Sequence, residues 1–315
     1  MDFELASVSI DQIDVSDSTY ELTTPKRSTD LALSISAVGL LQPPILIAKS
    51  DGFVIVCGFR RVAACASLKM AHLPARILPQ GHSRLSCAKI AIADNAFQRE
   101  LNVVEQSRAF AMFRRYAGER QRWIPLARSV GLPDSLTVME RLLDVANMPE
   151  ILQQSILDGH ISLPVAIEIN RLNSLEAAIL IRLFDGLNTG LNIQRELLET
   201  IREISLRDGI SLVELLEKPQ VASILHDDGL PNPQRVQELR RQLKRMRYPE
   251  LSKAETRFQR LLRSARLDSH IQFQHPPFFE GKTYRATLSI DSRKQLRHLI
   301  SELDKLASHP DLLPD

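Results

Sequence analysis

The stretch GLLQPPILIAKSDGFVIVCGFRRVAACASL, residues 39–68, decides how the chain is read. PILIA (44–48), the turn KSDG and FVIVC (53–57) make a β-hairpin, two short apolar runs on either side of a glycine-bearing turn. The second run passes directly into Gly58-Phe59-Arg60-Arg61, and the apolar spacing beyond it is helical. A strand-to-helix turn of this kind presents unpaired backbone N–H groups at the positive end of the helix dipole, where an anion is stabilised. Gly58 permits close backbone approach, and Arg60 and Arg61 supply planar donors suited to phosphate oxygens. Alone, two arginines at a helix start are better read as a solvated face.

On the N-terminal side, VSIDQIDV (8–15) alternates as a strand does, and Leu31, Ile35 and Val38 fit a helix that Gly39 stops. Gln42 then lies in the turn before the hairpin. Downstream, AHLPARIL (71–78) reads as a further strand, and helical signals dominate from Ser83. Asn102 with Glu105 forms a capping arrangement for a helix running to about Gly118. Pro125 begins a short helix ended by Gly131, and a second helix over 134–145 completes a helix-turn-helix pattern. DDGLPNP (227–233) reads as a linker, and Pro249 divides the basic region 235–266 into two helices. HIQFQ (270–274) and TYRATLSI (283–290) alternate as strands. Asp291 or Ser292 caps a last helix with Leu296, Leu299, Ile300, Leu303 and Leu306 along one stripe. This helix-strand-strand-helix tail is too small to fold alone, and pairing with a second copy would close its sheet.

The 315 residues suffice for two or three domains. A hydrophobic fraction of 44% and a charged fraction of 25% exclude global disorder and collagen-like repeats. Residues 31–48 carry no charge, but Ser34, Ser36, Gln42 and Pro43-Pro44 argue against a membrane span. The start of the chain lacks the basic and apolar regions of a signal peptide, and Cys57, Cys65 and Cys87 follow no disulfide or metal spacing, which suits a reducing cytoplasm. Walker-type, dinucleotide-binding, zinc-protease and CxxC motifs are absent. A second polar cluster is Asp94-Asn95-Ala96-Phe97-Gln98-Arg99, in which a carboxylate beside an amide can hold a magnesium ion and orient phosphates. By itself this too is readable as a polar helix end.

In order and approximate spacing, SISAVGLLQPPILI, GFRRVAACASL and IADNAFQRELNVVEQSRAF resemble the ParB chromosome and plasmid partition family. The likeness continues through PLARSVGLPDSLTVMERLLDVANMPEILQQSILDGHIS and the αββα tail, and is loose over 175–245. It implies a mostly helical α+β protein: a ParB/sulfiredoxin-like nucleotide domain (1–100), a helical DNA-binding domain (101–218), a basic linker helix (219–248) and an αββα dimerisation domain (249–315). It further implies a CTP- and Mg²⁺-dependent clamp on double-stranded DNA that hydrolyses CTP slowly, cytoplasmic and nucleoid-associated, with a ParA-like ATPase as a possible partner. Carried over, Gly39, Gln42, Gly58, Arg60, Arg61, Asn95, Gln98 and Arg99 would bind the nucleotide, Asp94 and Asn95 the metal, and Gln42 and Asp94 would serve hydrolysis. Two positions depart from the family: its usual GERR is GFRR here, and its usual Glu-Asn is Asp94-Asn95. Sulfiredoxin, which shares the fold, places its catalytic cysteine at the position of Phe59, so that chemistry is not expected of this chain. The alternative function is a helix-turn-helix regulator with a non-catalytic ParB-like domain; a nuclease is less favoured.

The net charge of +2 hides strong local differences. Residues 1–30 hold seven acids against two bases, a local −5, which speaks against the basic arm that stimulates a ParA-type ATPase. Residues 131–160, which include the expected reading helix with Ser135, Thr137 and Arg141, carry a local −4. Phosphate contacts are therefore expected from residues 108–128, including Arg128, and from 235–266, a local +8 that includes Arg240, Arg241 and Lys244.

Overall fold

A computed structural model of the chain describes residues 3–24, 29–79 and 81–307. The side chain of Leu306 lies outside the described residues, as do Asp2, Lys26 and Arg27 of the N-terminal charge count. The protein is α+β and mostly helical, in two compact units, Met1–Asn188 and Thr189–Asp315.

The first unit is built on a mixed sheet of β1 (Glu4–Ser9), β2 (Ile13–Asp14), β3 (Ile45–Lys49), β4 (Gly52–Cys57) and β5 (His72–Leu78), in the order β1-β5-β3-β4-β2. The expected hairpin is β3–β4, antiparallel from Lys49 opposite Gly52 to Ile45 opposite Cys57. The alternating stretch 8–15 does not run through as one strand. Its central Ile10–Gln12 is a 3₁₀ turn, so the chain leaves β1, antiparallel to β5, and returns as β2 parallel to β4. Strand alternation sends Leu46, Ile55, Leu73 and Ala75 to a face covered by α1 (Thr29–Val38) and α2 (Phe59–Ser67), packed with Ile35, Val62 and Cys65. Ile45, Val56, Cys57 and Leu78 belong to a second cluster with α3 (Arg84–Ala96) and α4 (Val103–Tyr116). That cluster continues through Phe110 and Phe113 into α5 (Trp123–Ser129) and α6 (Leu136–Ala146), so the sheet and the helix-turn-helix share one core. The helices α7 (Glu150–Leu157), α8 (Leu163–Ile169) and α9 (Ser174–Leu187) complete the unit.

The second unit contains α10 (Leu191–Asp208), α11 (Leu212–Glu217), α12 (Pro219–Leu225), α13 (Asn232–Arg247) and α14 (Pro249–Ala265), followed by β6 (Ile271–Gln274), β7 (Arg285–Leu288) and α15 (Arg293–Ala307). Proline at 249 excludes Tyr248 from the helical region, and Tyr248 takes φ −125°, ψ 69° between the two basic helices. The β6–β7 pair is antiparallel, with Phe273 and Tyr284 stacked at 5.8 Å beside the buried Phe258 of α14. Leu299 of the expected α15 stripe is buried, whereas Ile300 is exposed. Among the described residues no helix is long and apolar enough to cross a membrane.

A single carboxylate ties the start of the first unit to α4. Asn102 and Glu105 form the full reciprocal capping box, with Glu105 N–H donating to Asn102 Oδ1 at 2.9 Å and Asn102 N–H to Glu105 Oε2 at 3.1 Å. Glu105 also accepts from Thr24 N–H at 3.1 Å and from both terminal nitrogens of Arg99, at 2.6 and 2.8 Å. Its side chain is 1% exposed. Burial acts to raise its pKa, but the Arg99 guanidinium and the N–H donors outweigh that and hold it below the ordinary glutamate value. A depressed folded pKa gives stability that is present above the unfolded value and lost as pH falls through the folded one. We expect Glu105→Gln to cost about 2 kcal/mol at neutral pH, because hydrogen bonds to a charged acceptor are lost. In urea titrations the gap between the two proteins should narrow as pH falls below the ordinary glutamate value of about 4.3, and it should close only below the lower folded value. A gap constant with pH would count against the ionised network.

Candidate nucleotide and DNA-binding sites

The glycine turn is formed as the sequence requires. Gly58 occupies the N-cap of α2 with φ +94°, ψ 28°, a left-handed conformation, and brings no side chain to cap the first turn. A Cβ there would lie 3.0 Å from Pro44 Cβ and from Arg61 Nε and 3.1 Å from Pro44 Cα, so the position needs glycine on both steric and backbone grounds. Arg61 reaches back over this turn. Its Nη1 donates to the carbonyls of Gln42 (2.9 Å) and Pro43 (3.3 Å), and its Nη2 to Asp94 Oδ2 on α3 (3.4 Å). Gln98 Nε2 donates to the other carboxylate oxygen at 3.3 Å. Four of the expected residues, Gln42, Arg61, Asp94 and Gln98, therefore meet through hydrogen bonds, with Gly58 beneath Arg61. Arg60 is half-buried in the same first turn of α2.

Other expected residues are placed differently. Gly39 ends α1 with φ +81°, its N–H on Ile35 O at 2.9 Å, in open space. Asn95 turns its amide back onto Ala91 O at 2.8 Å, which leaves its carbonyl oxygen as the acceptor for a cation. Arg99 points to Glu105 rather than to Arg61 and Asp94, and that bidentate pair is what sequence reading missed. The capping pattern identifies Glu105 as a helix cap, but its arginine partner is fixed only by how α3 ends. A cleft of about 400 Å³ flanks Asp94, lined by Ile45, Lys89, Ile90 and Ser129 among others.

The donors fit an anion with a bound cation: a capless helix start, an arginine on the turn and one carboxylate beside an amide oxygen. Magnesium held mainly by phosphates needs only one or two protein carboxylates, and no cluster of three or more metal-ligating side chains occurs among the described residues. Residues 3–96 match the family described as the ParB N-terminal domain. This segment is similar to ParB N-terminal domains. The chain is 29% identical over 136 residues to a nucleoid occlusion protein of Shouchella clausii, covering 43% of this chain and 46% of the relative. It is 34% identical over 86 residues to a probable chromosome 1-partitioning protein ParB of Deinococcus radiodurans, covering 27% and 29%. These matches span less than half the length of the curated relatives. Among solved structures, truncated ParB of Caulobacter crescentus complexed with CTP-gamma-S aligns with a TM-score of 0.25 at 19% identity, over 57% of this chain and 98% of that one.

Within this ParB-like segment, Phe59, the departure from GERR, packs against both hydrophobic clusters and so serves the core. Cys57, Cys65 and Cys87 are buried free thiols, and desolvation pushes the Cys57 thiol far above its ordinary value, away from nucleophilic use. Beyond the domain, Ser135 is the N-cap of α6, and Thr137 and Arg141 are exposed along the helix. Asp134 just before α6 and Glu140 within it are paired with arginines of α5 and the turn before it. Arg128 Nε donates to Asp134 Oδ2 at 2.7 Å and holds that carboxyl below the usual range, and Arg120 pairs with Glu140. Arg108 is half-buried and donates to the carbonyls of Leu22 and Thr23, so it is a structural strap. In the second unit, Arg240 makes a bidentate pair with Glu196 (2.9 and 2.7 Å), Arg241 pairs with Glu238 (2.7 Å) and Lys244 with Glu255 (3.4 Å).

The two glycines give a contrast that checks the turn. Gly58→Ala combines left-handed strain with contact on Pro44 and Arg61 and should cost about 2–3 kcal/mol. Gly39→Ala carries only the backbone term and should cost about 1 kcal/mol. Chemical denaturation of both variants measures the difference; equal losses would contradict the close approach at Gly58.

Proposed function

We propose that the chain is a CTP-dependent, dimeric DNA-binding clamp of the ParB kind, acting in chromosome or plasmid partition. The observation that carries this reading is the meeting of Arg61, Asp94 and the Gln42 main chain over the capless, glycine-led start of α2. Gly58 and the α2 N-terminus would receive the phosphate chain, with Arg60 and Arg61 compensating its charge. Asp94 and the Asn95 carbonyl would hold Mg²⁺, which when bound neutralises phosphate charge and orients the triphosphate. The Arg61–Asp94 contact is long at 3.4 Å, and phosphate oxygens would compete for Arg61 while the cation competes for Asp94. Gln42 is exposed at the rim, where its amide can order a water for slow hydrolysis. In this reading residues to about 100 bind the nucleotide, α5 and α6 recognise the duplex, basic helices fill the region around 219–248, and 249–315 pairs with a second copy, with the nucleoid as the place of action.

Titration calorimetry of the full chain with CTP and Mg²⁺ should give binding that Arg61→Ala reduces at least tenfold. The loss of one charge-assisted arginine contact set, about 1.5–3 kcal/mol, corresponds to that factor or more. No binding by the wild type, with or without DNA, would overturn the nucleotide reading. Binding without phosphate release would favour the helix-turn-helix regulator with a non-catalytic domain.

The ion pairs on the helix-turn-helix give a second outcome. Asp134 and Glu140 occupy arginines that would otherwise meet phosphates and add negative charge to the reading face. Asp134→Asn with Glu140→Gln should therefore tighten duplex binding several-fold at low salt and steepen its salt dependence, by about 0.9 in log–log slope for each arginine that gains a phosphate. Unchanged affinity and slope would place the duplex elsewhere on the protein.

A further inference from the structure

The bases of α13 that sequence reading favours for phosphate contact are the ones already held by carboxylates, Arg240 by Glu196, Arg241 by Glu238 and Lys244 by Glu255. A phosphate must displace those acids, which removes much of its gain. One turn further along, the situation reverses. Arg245 at the end of α13 and Arg260 and Arg263 on α14 have no carboxylate partner among the described residues, while both acids of α14 are occupied, Glu250 by Lys253 (2.7 Å) and Glu255 by Lys244. Two adjoining hollows of about 750 and 400 Å³ share Arg245, Ser252, Thr256 and Arg260 in their lining; Ser264 lines the first and Arg263 the second.

Positions 252, 256, 260 and 263–264 recur every three to four residues, so one face of α14 carries them. Thr256 and Ser264 donate their hydroxyl protons to the carbonyls of Ser252 and Leu261, both at 2.7 Å. They keep the floor small and polar, and the arginines supply the free donors. From Ser252 to Ser264 the helix rises about 18 Å at 1.5 Å per residue. That is roughly five base-pair steps at 3.4 Å along one strand, far longer than a single nucleotide needs.

We infer that this α14 groove binds the sugar-phosphate backbone of duplex DNA through Arg245, Arg260 and Arg263. The inference rests on the DNA-binding reading above and moves its phosphate contacts off the acid-paired face of α13. The test is fluorescence anisotropy of a random-sequence DNA duplex with the full chain over a salt series. Arg245→Gln/Arg260→Gln/Arg263→Gln should weaken binding at least tenfold and reduce the log–log salt slope by about 3, that is about 0.9 for each lost contact. Arg245→Lys/Arg260→Lys/Arg263→Lys should recover most of the slope, which a loss of helix packing would not allow, and thermal melts monitor folding of both. Arg240→Gln/Arg241→Gln/Lys244→Gln should produce a smaller loss. An unchanged slope in the first variant, or an equal loss in the last, would overturn the groove while leaving the DNA-binding reading intact. Absence of binding by the wild type at any salt would overturn both.

Discussion

The buried carboxylate of Glu105 is the constraint on which the first unit turns. Taking an ionised carboxylate out of water costs several kcal/mol, so it survives only where donors surround it. Here those donors come from three separate pieces of chain: Thr24 from the N-terminal segment, Arg99 from just beyond α3, and Asn102 from the entry to α4. Satisfying one charge therefore fixes where the sheet's leading segment, the helix bearing Asp94 and the first helix of the helical region lie with respect to each other. Arg108, donating to the carbonyls of Leu22 and Thr23 one turn further along α4, reinforces the same junction.

That arrangement also constrains the proposed nucleotide site at the glycine turn. Asp94 is five residues before Arg99 on the same run of chain, so the direction in which α3 ends determines both where Asp94 meets Arg61 and where Arg99 meets Glu105. If Arg99 moved toward a triphosphate at Gly58, Glu105 would be left with its N–H donors but without its counter-charge. The cost of an unpaired buried carboxylate opposes that movement. Arg99 consequently belongs first to the junction, and the charge compensation at the glycine turn falls on Arg60 and Arg61.

The parts of the fold readable from sequence are those governed by local rules. The β3–β4 hairpin follows from alternation and a glycine turn, the α4 start from an Asn-x-x-Glu box, and the α13–α14 break from a proline. The 3₁₀ interruption at Ile10–Gln12 was not readable, because apolar alternation continues through it and only the pairing partners, β5 on one side and β4 on the other, reveal the break. The glycine turn was readable for the same local reason: a strand running into Gly-x-Arg-Arg needs no distant information. The partners of Arg99, Arg120, Arg128 and Arg240 were not, since each meets a carboxylate on another element or another turn.

Those unreadable partners change what local charge means. A segment's net charge sets the field far from the protein, but a phosphate in contact responds to the donors still available at that surface. The −4 of residues 131–160 overstates the repulsion, because Asp134 and Glu140 are partly neutralised by Arg128 and Arg120. The +8 of residues 235–266 overstates the attraction on α13 for the same reason, and understates how much of it is concentrated on Arg245, Arg260 and Arg263. An exposed ion pair is worth little to stability, yet it redistributes which cations a polyanion can reach without competition. Near-neutral net charge is compatible with the proposed DNA binding because acids and bases are sorted by pairing, which leaves Arg245, Arg260 and Arg263 beside one another along the α13–α14 groove.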